Sequence, residues 1–130
     1  MSAARNLPAP TGRVRFIEYQ GKQVLFLDLT DCTPEDVFEA MDECQQIVTA
    51  QPPHSVLTLS DYTGGQFTRE AVRRMKEVAA YDRPHVKRAA VVGLESMPVA
   101  LFRGIMDFSA RRFPSFKTRE DALDWLVQGK

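Results

Sequence analysis

The feature that most constrains this chain is an alternation. Apolar runs of strand length are separated by longer segments whose apolar residues recur at helical spacing, and each helical segment starts at a threonine or proline. Val24-Leu25-Phe26-Leu27, continued by Leu29, is apolar almost throughout, the pattern of a strand covered on both faces. Thr33-Pro34-Glu35-Asp36 follows as a helix start: the hydroxyl can cap free N–H groups, proline suits the first turn, and two acids meet the positive end of the dipole. Val37, Ala40, Met41, Cys44, Ile47 and Val48 then lie opposite Glu39, Asp42, Glu43 and Gln46, until Pro52-Pro53 stops the helix. Val56, Leu57 and Leu59 form the next strand, which ends at Asp61.

The same grammar repeats downstream. Thr68 opens a second helix with Ala71, Val72, Met75, Val78 and Ala79 inward, ended by Pro84. Val86 to Leu94 reads as a fourth strand, and Ser96-Met97-Pro98 opens a third helix expected to reach about Arg112. Phe116 marks a short edge segment, and Thr118 caps a last helix carrying Ala122, Leu123, Trp125 and Leu126. Ahead of all this, Val14, Phe16 and Ile17 pair with the Val24 run through a hairpin at Gly21, with Arg13 and Arg15 on the opposite face of the first strand. The order β-β-α-β-α-β-α-(β)-α predicts an α/β fold with a mixed, mainly parallel sheet of four to five strands and four helices.

At 130 residues the chain suits one domain over residues 13–130, and Pro8, Pro10 and Gly12 mark residues 1–12 as a flexible leader. No apolar run approaches a membrane span, and residues 1–8 lack the apolar stretch of a secretory signal. Cys32 and Cys44 do not make a disulfide framework, so a cytoplasmic location is expected. The net charge of zero hides a polarity. Residues 1–68 hold four Lys/Arg against nine Asp/Glu, and residues 69–119 hold twelve against five. Such a domain can dock on an oppositely charged surface or simply carry two unlike solvated faces.

The layout, together with Phe116-Lys117-Thr118-Arg119-Glu120-Asp121-Ala122-Leu123-Asp124-Trp125-Leu126, resembles the STAS superfamily, and within it the SpoIIAA-like branch that is grouped with SEC14-type domains. The resemblance covers residues 13–128 and implies the α/β fold, regulatory protein contacts, or lipid carriage. In regulatory members an Asp-x-Ser/Thr-Gly turn ends the third strand, which Asp61-Tyr62-Thr63-Gly64 matches. The phosphoacceptor segment would fall on Arg69-Glu70-Ala71-Val72, where Ala71 has no hydroxyl; the nearest hydroxyls are Thr68 and Thr63.

Reactive constellations are absent from the sequence. Gly64-Gly65 is not a phosphate-binding fingerprint, His54 and His85 sit at the amino ends of strands, and no metal-ligand spacing, nucleophile elbow or cofactor motif occurs, so no catalytic residue, metal or cofactor is assigned. Asp61, Tyr62, Thr63, Gly64 and Thr68 lie where ligands collect in open α/β sheets, although a turn needing positive φ, with Thr68 and Asp61 satisfying backbone groups, explains them first. The third helix carries surplus apolar residues. Leu101, Ile105 and Phe108 fall on one side and Val99, Phe102 and Met106 on another, beside Arg103. The last helix, a second copy of the chain, or an apolar ligand could cover that second side. These features predict a non-enzymatic binding or regulatory module with contacts at Asp61, Tyr62, Thr63, Gly64, Thr68, Phe102, Arg103 and Met106, a homodimer through helix 97–112, or a protein partner. A carrier of a small apolar or amphipathic anionic ligand is the alternative, and an enzyme at the end of the third strand is a third reading. Nucleic acid is not expected, because no basic–aromatic surface stripe is visible.

Overall fold

A computed structural model describes residues 12–128. Five strands, β1 (Val14–Tyr19), β2 (Lys22–Asp28), β3 (Val56–Asp61), β4 (Val86–Val92) and β5 (Ser115–Phe116), lie side by side in chain order. β1 and β2 are antiparallel and every other pair is parallel. Four helices, α1 (Pro34–Thr49), α2 (Arg69–Asp82), α3 (Val99–Ser109) and α4 (Arg119–Val127), complete the expected α/β architecture. The leader expected over residues 1–12 lies, apart from Gly12, outside the described residues.

Local chemistry explains the boundaries. Gln20 and Gly21 both have positive φ, 51° and 81°, which a two-residue hairpin with the right twist requires. Thr33 caps α1 in a reciprocal box with Asp36, while Thr68 and Thr118 accept from Ala71 and Asp121 N–H at the starts of α2 and α4. β2 is buried on both faces as its apolar run predicts. Leu25, Leu27 and Leu29 join the core under α1, α2 and α3, whereas Val24 and Phe26 join Leu57, Leu59, Ala90, Val92, Ala122 and Leu126 under α4.

Three expectations change. Phe16 is 43% exposed rather than buried, because β1 is an edge strand; only Val14 enters the main core and Ile17 packs on the α4 side. The fourth strand ends at Val92, two residues early, where Gly93 turns left-handed at φ 72° and starts a short 3-10 turn, Leu94–Ser96. Helix α3 ends at Ser109 instead of about Arg112, with Ala110 left-handed at φ 56°; the segment must leave the helix there for Pro114 to accept from Val91 N–H and lay β5 beside β4.

The placement of α3 also differs. Phe102 and Ile105 are buried and Leu101 and Met106 half-buried against the main core, while Val99 and Phe108 are exposed. The side expected to stand free at Phe102 is therefore inside, because α3 rests on α2 and tilts its Phe102–Ile105 stripe toward Tyr62 and the sheet. The last helix cannot cover α3, since α4 and Trp125 pack on the opposite face of the sheet.

Candidate functional site

The carboxyl ends of the parallel strands carry a repeated device. Asp28-Leu29-Thr30 ends β2 and Asp61-Tyr62-Thr63 ends β3, and the two aspartates are register partners. In each, aspartate Oδ1 accepts from the threonine N–H and hydroxyl two residues on: 3.2 and 2.6 Å at Asp28, 3.0 and 2.6 Å at Asp61. Such turns close the backbone locally. Arg119, the first residue of α4, joins them. Its Nε donates to Asp61 Oδ2 at 2.7 Å, a terminal nitrogen lies 3.9 Å from Asp28 Oδ1, and the guanidinium stacks on Phe26. Burial pushes the Asp28 carboxyl up, but the Thr30 bonds and then Arg119 bring it net below its ordinary value. Asp61, 5% exposed, thus has both oxygens engaged, and the cation that engages it ties α4 to the sheet.

The other residues expected here have similar internal duties. Tyr62 points inward, its ring edge-on to Phe67 at 5.4 Å and Phe102 at 6.3 Å, and burial holds its hydroxyl protonated well beyond the usual range. Gly64, at φ 73°, donates to Ser96 Oγ. Thr68 is the α2 cap, and Ala71 is fully buried beneath it. Thus Tyr62 and Phe102 meet, linking the end of β3 to α3, whereas Arg103 stands on the exposed side of α3 and Met106 lies at the far end of the helix, half-buried. Arg119 and the twin turn at Asp28 were missed by sequence reasoning; the repeated Asp-x-Thr after two apolar strands was the available signal.

Between the sheet and helices α1, α2 and α3 lies a hollow of about 50 Å³. Cys44, Thr58, Ser60, Tyr62, Asp82 and Arg111 bring polar atoms to its apolar walls. Asp82 is 3% exposed; its Oδ2 accepts from Cys44 Sγ at 3.5 Å, and its Oδ1 has no hydrogen-bond partner among the described residues. Burial raises the Asp82 carboxyl to about 6, with Cys44 and Arg111 opposing the rise. Burial likewise pushes the Cys44 thiol well above its usual range and lowers Arg111. The hollow has room for ordered water, far from the several hundred Å³ of a small-molecule site. Both cysteines are free and buried. Among the described residues no group of three or more His, Cys, Asp or Glu is placed to hold a metal ion.

A wider, open groove of about 920 Å³ runs on the other side of Arg111, between the first half of β4 and residues 110–114. Arg83, Lys87, Arg88, Arg111 and Arg112 line it, with Met106, Phe113 and Trp125. His54, exposed and left-handed at φ 55°, is at its rim, while His85 Nδ1 donates to Gln51 O at 2.7 Å.

An antiparallel hairpin feeding a parallel sheet in chain order, with three helices on one face and one on the other, makes a SpoIIAA-like fold. The crystal structure of an uncharacterised protein of the DUF3478 family from Shewanella loihica PV-4, described as having a SpoIIAA-like fold, is similar to this chain with a TM-score of 0.67 at 19% identity, over 88% of this chain and 92% of that one. No family model matches the sequence, and no curated protein matches it. No helix among the described residues is long and apolar enough to cross a membrane.

Proposed function

We propose that this chain is a non-enzymatic binding module that works through protein contacts and pairs with a second copy of itself along α3 and the adjoining end of α2. The observation that carries this reading is an exposed aromatic pair. Tyr81 of α2 and Phe108 of α3 are each 62% exposed and open onto one shared groove, with Gln45, Arg74, Glu77 and Ala80 around them. Leaving two such rings in water forgoes roughly 1.5–3 kcal/mol each relative to burial. The surround carries both signs of charge, Arg74 beside Asp42 and Glu77, which suits the self-complementary patch of a twofold contact. The seam is thus centred on Phe108, since Phe102 is committed to the core.

Two observations favour contact over catalysis or carriage. Asp61 and Thr63 spend their side-chain polar atoms on Arg119 and one another, and Tyr62 sets its ring edge-on to Phe67 and Phe102 inside the core. The internal hollow is too small for an amphiphile. The test is mass by light scattering across a wide concentration range, on the wild type and on Phe108→Glu with Tyr81→Glu. A wild-type dimer that becomes a folded monomer in the double variant is expected; a wild type that stays monomeric at the highest concentration overturns the seam.

A further inference from the structure

The groove beside β4 shares no lining residue with that seam, although both adjoin the ends of α2 and α3, and it has a distinct character. Strand β4 pairs with β5 only at Val91↔Ser115 and Val92↔Phe116, so Val86 to Ala90 have a strand neighbour on the β3 side alone. An unpaired edge of this kind is a template for another strand. Val86, Lys87 and Arg88 are half-exposed there, Ala89 and Ala90 are buried, and the pairing with β3 shifts by one residue at Lys87.

The groove beside this edge is charged with one sign. No Asp or Glu lines it, and among the described residues Arg83, Lys87 and Arg112 form no ion pair. Two guanidiniums are already held in place. Arg88 donates to Trp125 O at 2.9 Å and Arg111 to Ala79 O at 3.1 Å. Both are spent on those carbonyls and on the Trp125 and Phe113 rings, so they add fixed positive charge to the groove wall, while Arg83, Lys87 and Arg112 are left to meet a carboxylate.

The geometry points to this groove as the docking site of an extended acidic peptide segment of a partner protein, which adds alongside the first half of β4 and sets its carboxylates against Arg83, Lys87 and Arg112. The positive edge that repels basic strands and must be desolvated by apolar ones, the usual guard of an exposed strand, becomes the selector for an acidic one. The alternation of a strand fits this arrangement, because successive side chains point to opposite faces and every second residue can be acidic. A single-stranded nucleic acid fits less well. It needs bare aromatic faces for its bases, whereas the groove's two rings are already capped, Trp125 by Arg88 at 5.2 Å and Phe113 by Arg111 at 4.5 Å.

The experiment uses the full chain and four fluorescein-labelled probes: a short peptide of alternating glutamate and valine, the same peptide with prolines replacing the valines, a lysine–valine peptide and an oligothymidine of equal length. Anisotropy reads affinity, and emission from Trp125, the chain's sole tryptophan, reports events in the groove. The glutamate–valine peptide is expected to bind, to shift Trp125 emission, and to slow amide exchange over residues 86–88. The proline peptide, which keeps the glutamate N–H groups but loses those of every second residue and is held in a polyproline conformation that does not match the strand, should bind about tenfold more weakly, and the lysine peptide not at all. Arg83→Glu with Arg112→Glu, both exposed positions, should remove binding without altering the fold, while the seam variant Phe108→Glu should bind unchanged. Equal affinity for the two acidic peptides, tighter binding of oligothymidine, or no binding at low salt would each overturn the inference.

Discussion

Two ends of the same sheet use polar residues in opposite ways. At the carboxyl ends of β2 and β3, Asp28, Thr30, Asp61, Thr63 and Arg119 satisfy one another, and the result is a latch that holds α4 to the sheet. At the amino end of β4, Arg83, Lys87 and Arg112 face a groove with no carboxylate on its walls. The first region looks like chemistry in the sequence, a strand followed by Asp-Tyr-Thr-Gly, yet its Asp61 and Thr63 side chains and Gly64 N–H are consumed and Tyr62 is buried. The second has no motif, being three basic residues spread over thirty positions, yet its charge is available. Residues that look reactive in one dimension are therefore judged by what remains unspent after folding.

Gly93 packs against Thr63, beside the latch. A Cβ there would lie 2.4 Å from Thr63 N and 2.8 Å from Thr63 Cα, backbone atoms that cannot swing aside, and φ is +72°. Gly93→Ala is expected to lower unfolding free energy by about 3–4 kcal/mol, from left-handed strain and overpacking together, as denaturant titration would show. Asp61→Ala removes the bonds from Arg119 and Thr63 and should cost about 2–3 kcal/mol. An unchanged midpoint would mean that the latch holds nothing.

Asp82 offers a middle case, a buried carboxyl with one oxygen unsatisfied. Its folded value of about 6 lies above the ordinary 3.8, so the folded state binds the extra proton. The stability this confers is complete at low pH and is lost as pH rises from about 4 through 6, a fall on the order of 2–3 kcal/mol. The Asp28 carboxyl, shifted the opposite way, contributes its own change below about 4, outside that window. Asp82→Asn should flatten the dependence between pH 4 and 7 and be about 2 kcal/mol more stable than wild type above it; unfolding midpoints of both proteins across pH decide this. The smallest expected effect on folding belongs to the groove. Arg83→Glu with Arg112→Glu, both exposed, should move stability by less than about 0.5 kcal/mol while abolishing acidic-peptide binding, which sharpens the contrast between a spent site and an available one.

Much of this architecture was legible beforehand because its signals are local. Thr33-Pro34, Thr68 and Thr118 each specify a helix start through their own hydroxyl or ring, and Val24 to Leu29 announces burial on both faces. Phe102 was placed on the wrong side because helical spacing divides residues into stripes without saying which stripe meets the sheet; the packing of α3 on α2 made that choice, leaving Val99 and Phe108 outside. The end of α3 was overrun for a related reason. Arg111 and Arg112 suit a helix, and only the need for Pro114 to reach Val91 N–H stops it at Ser109.

By itself the sequence determined the order of elements, their caps and the two-faced burial of the central strands, since each depends on residues close in the chain. The tertiary structure alone decided that Arg119 reaches back 58 residues to Asp61, that Cys44 and Asp82 share a hollow, and that Arg83, Lys87 and Arg112 face one groove. Those pairings are set by parallel strand register and by which face of the sheet each helix covers, and neither is encoded in the spacing of neighbouring residues.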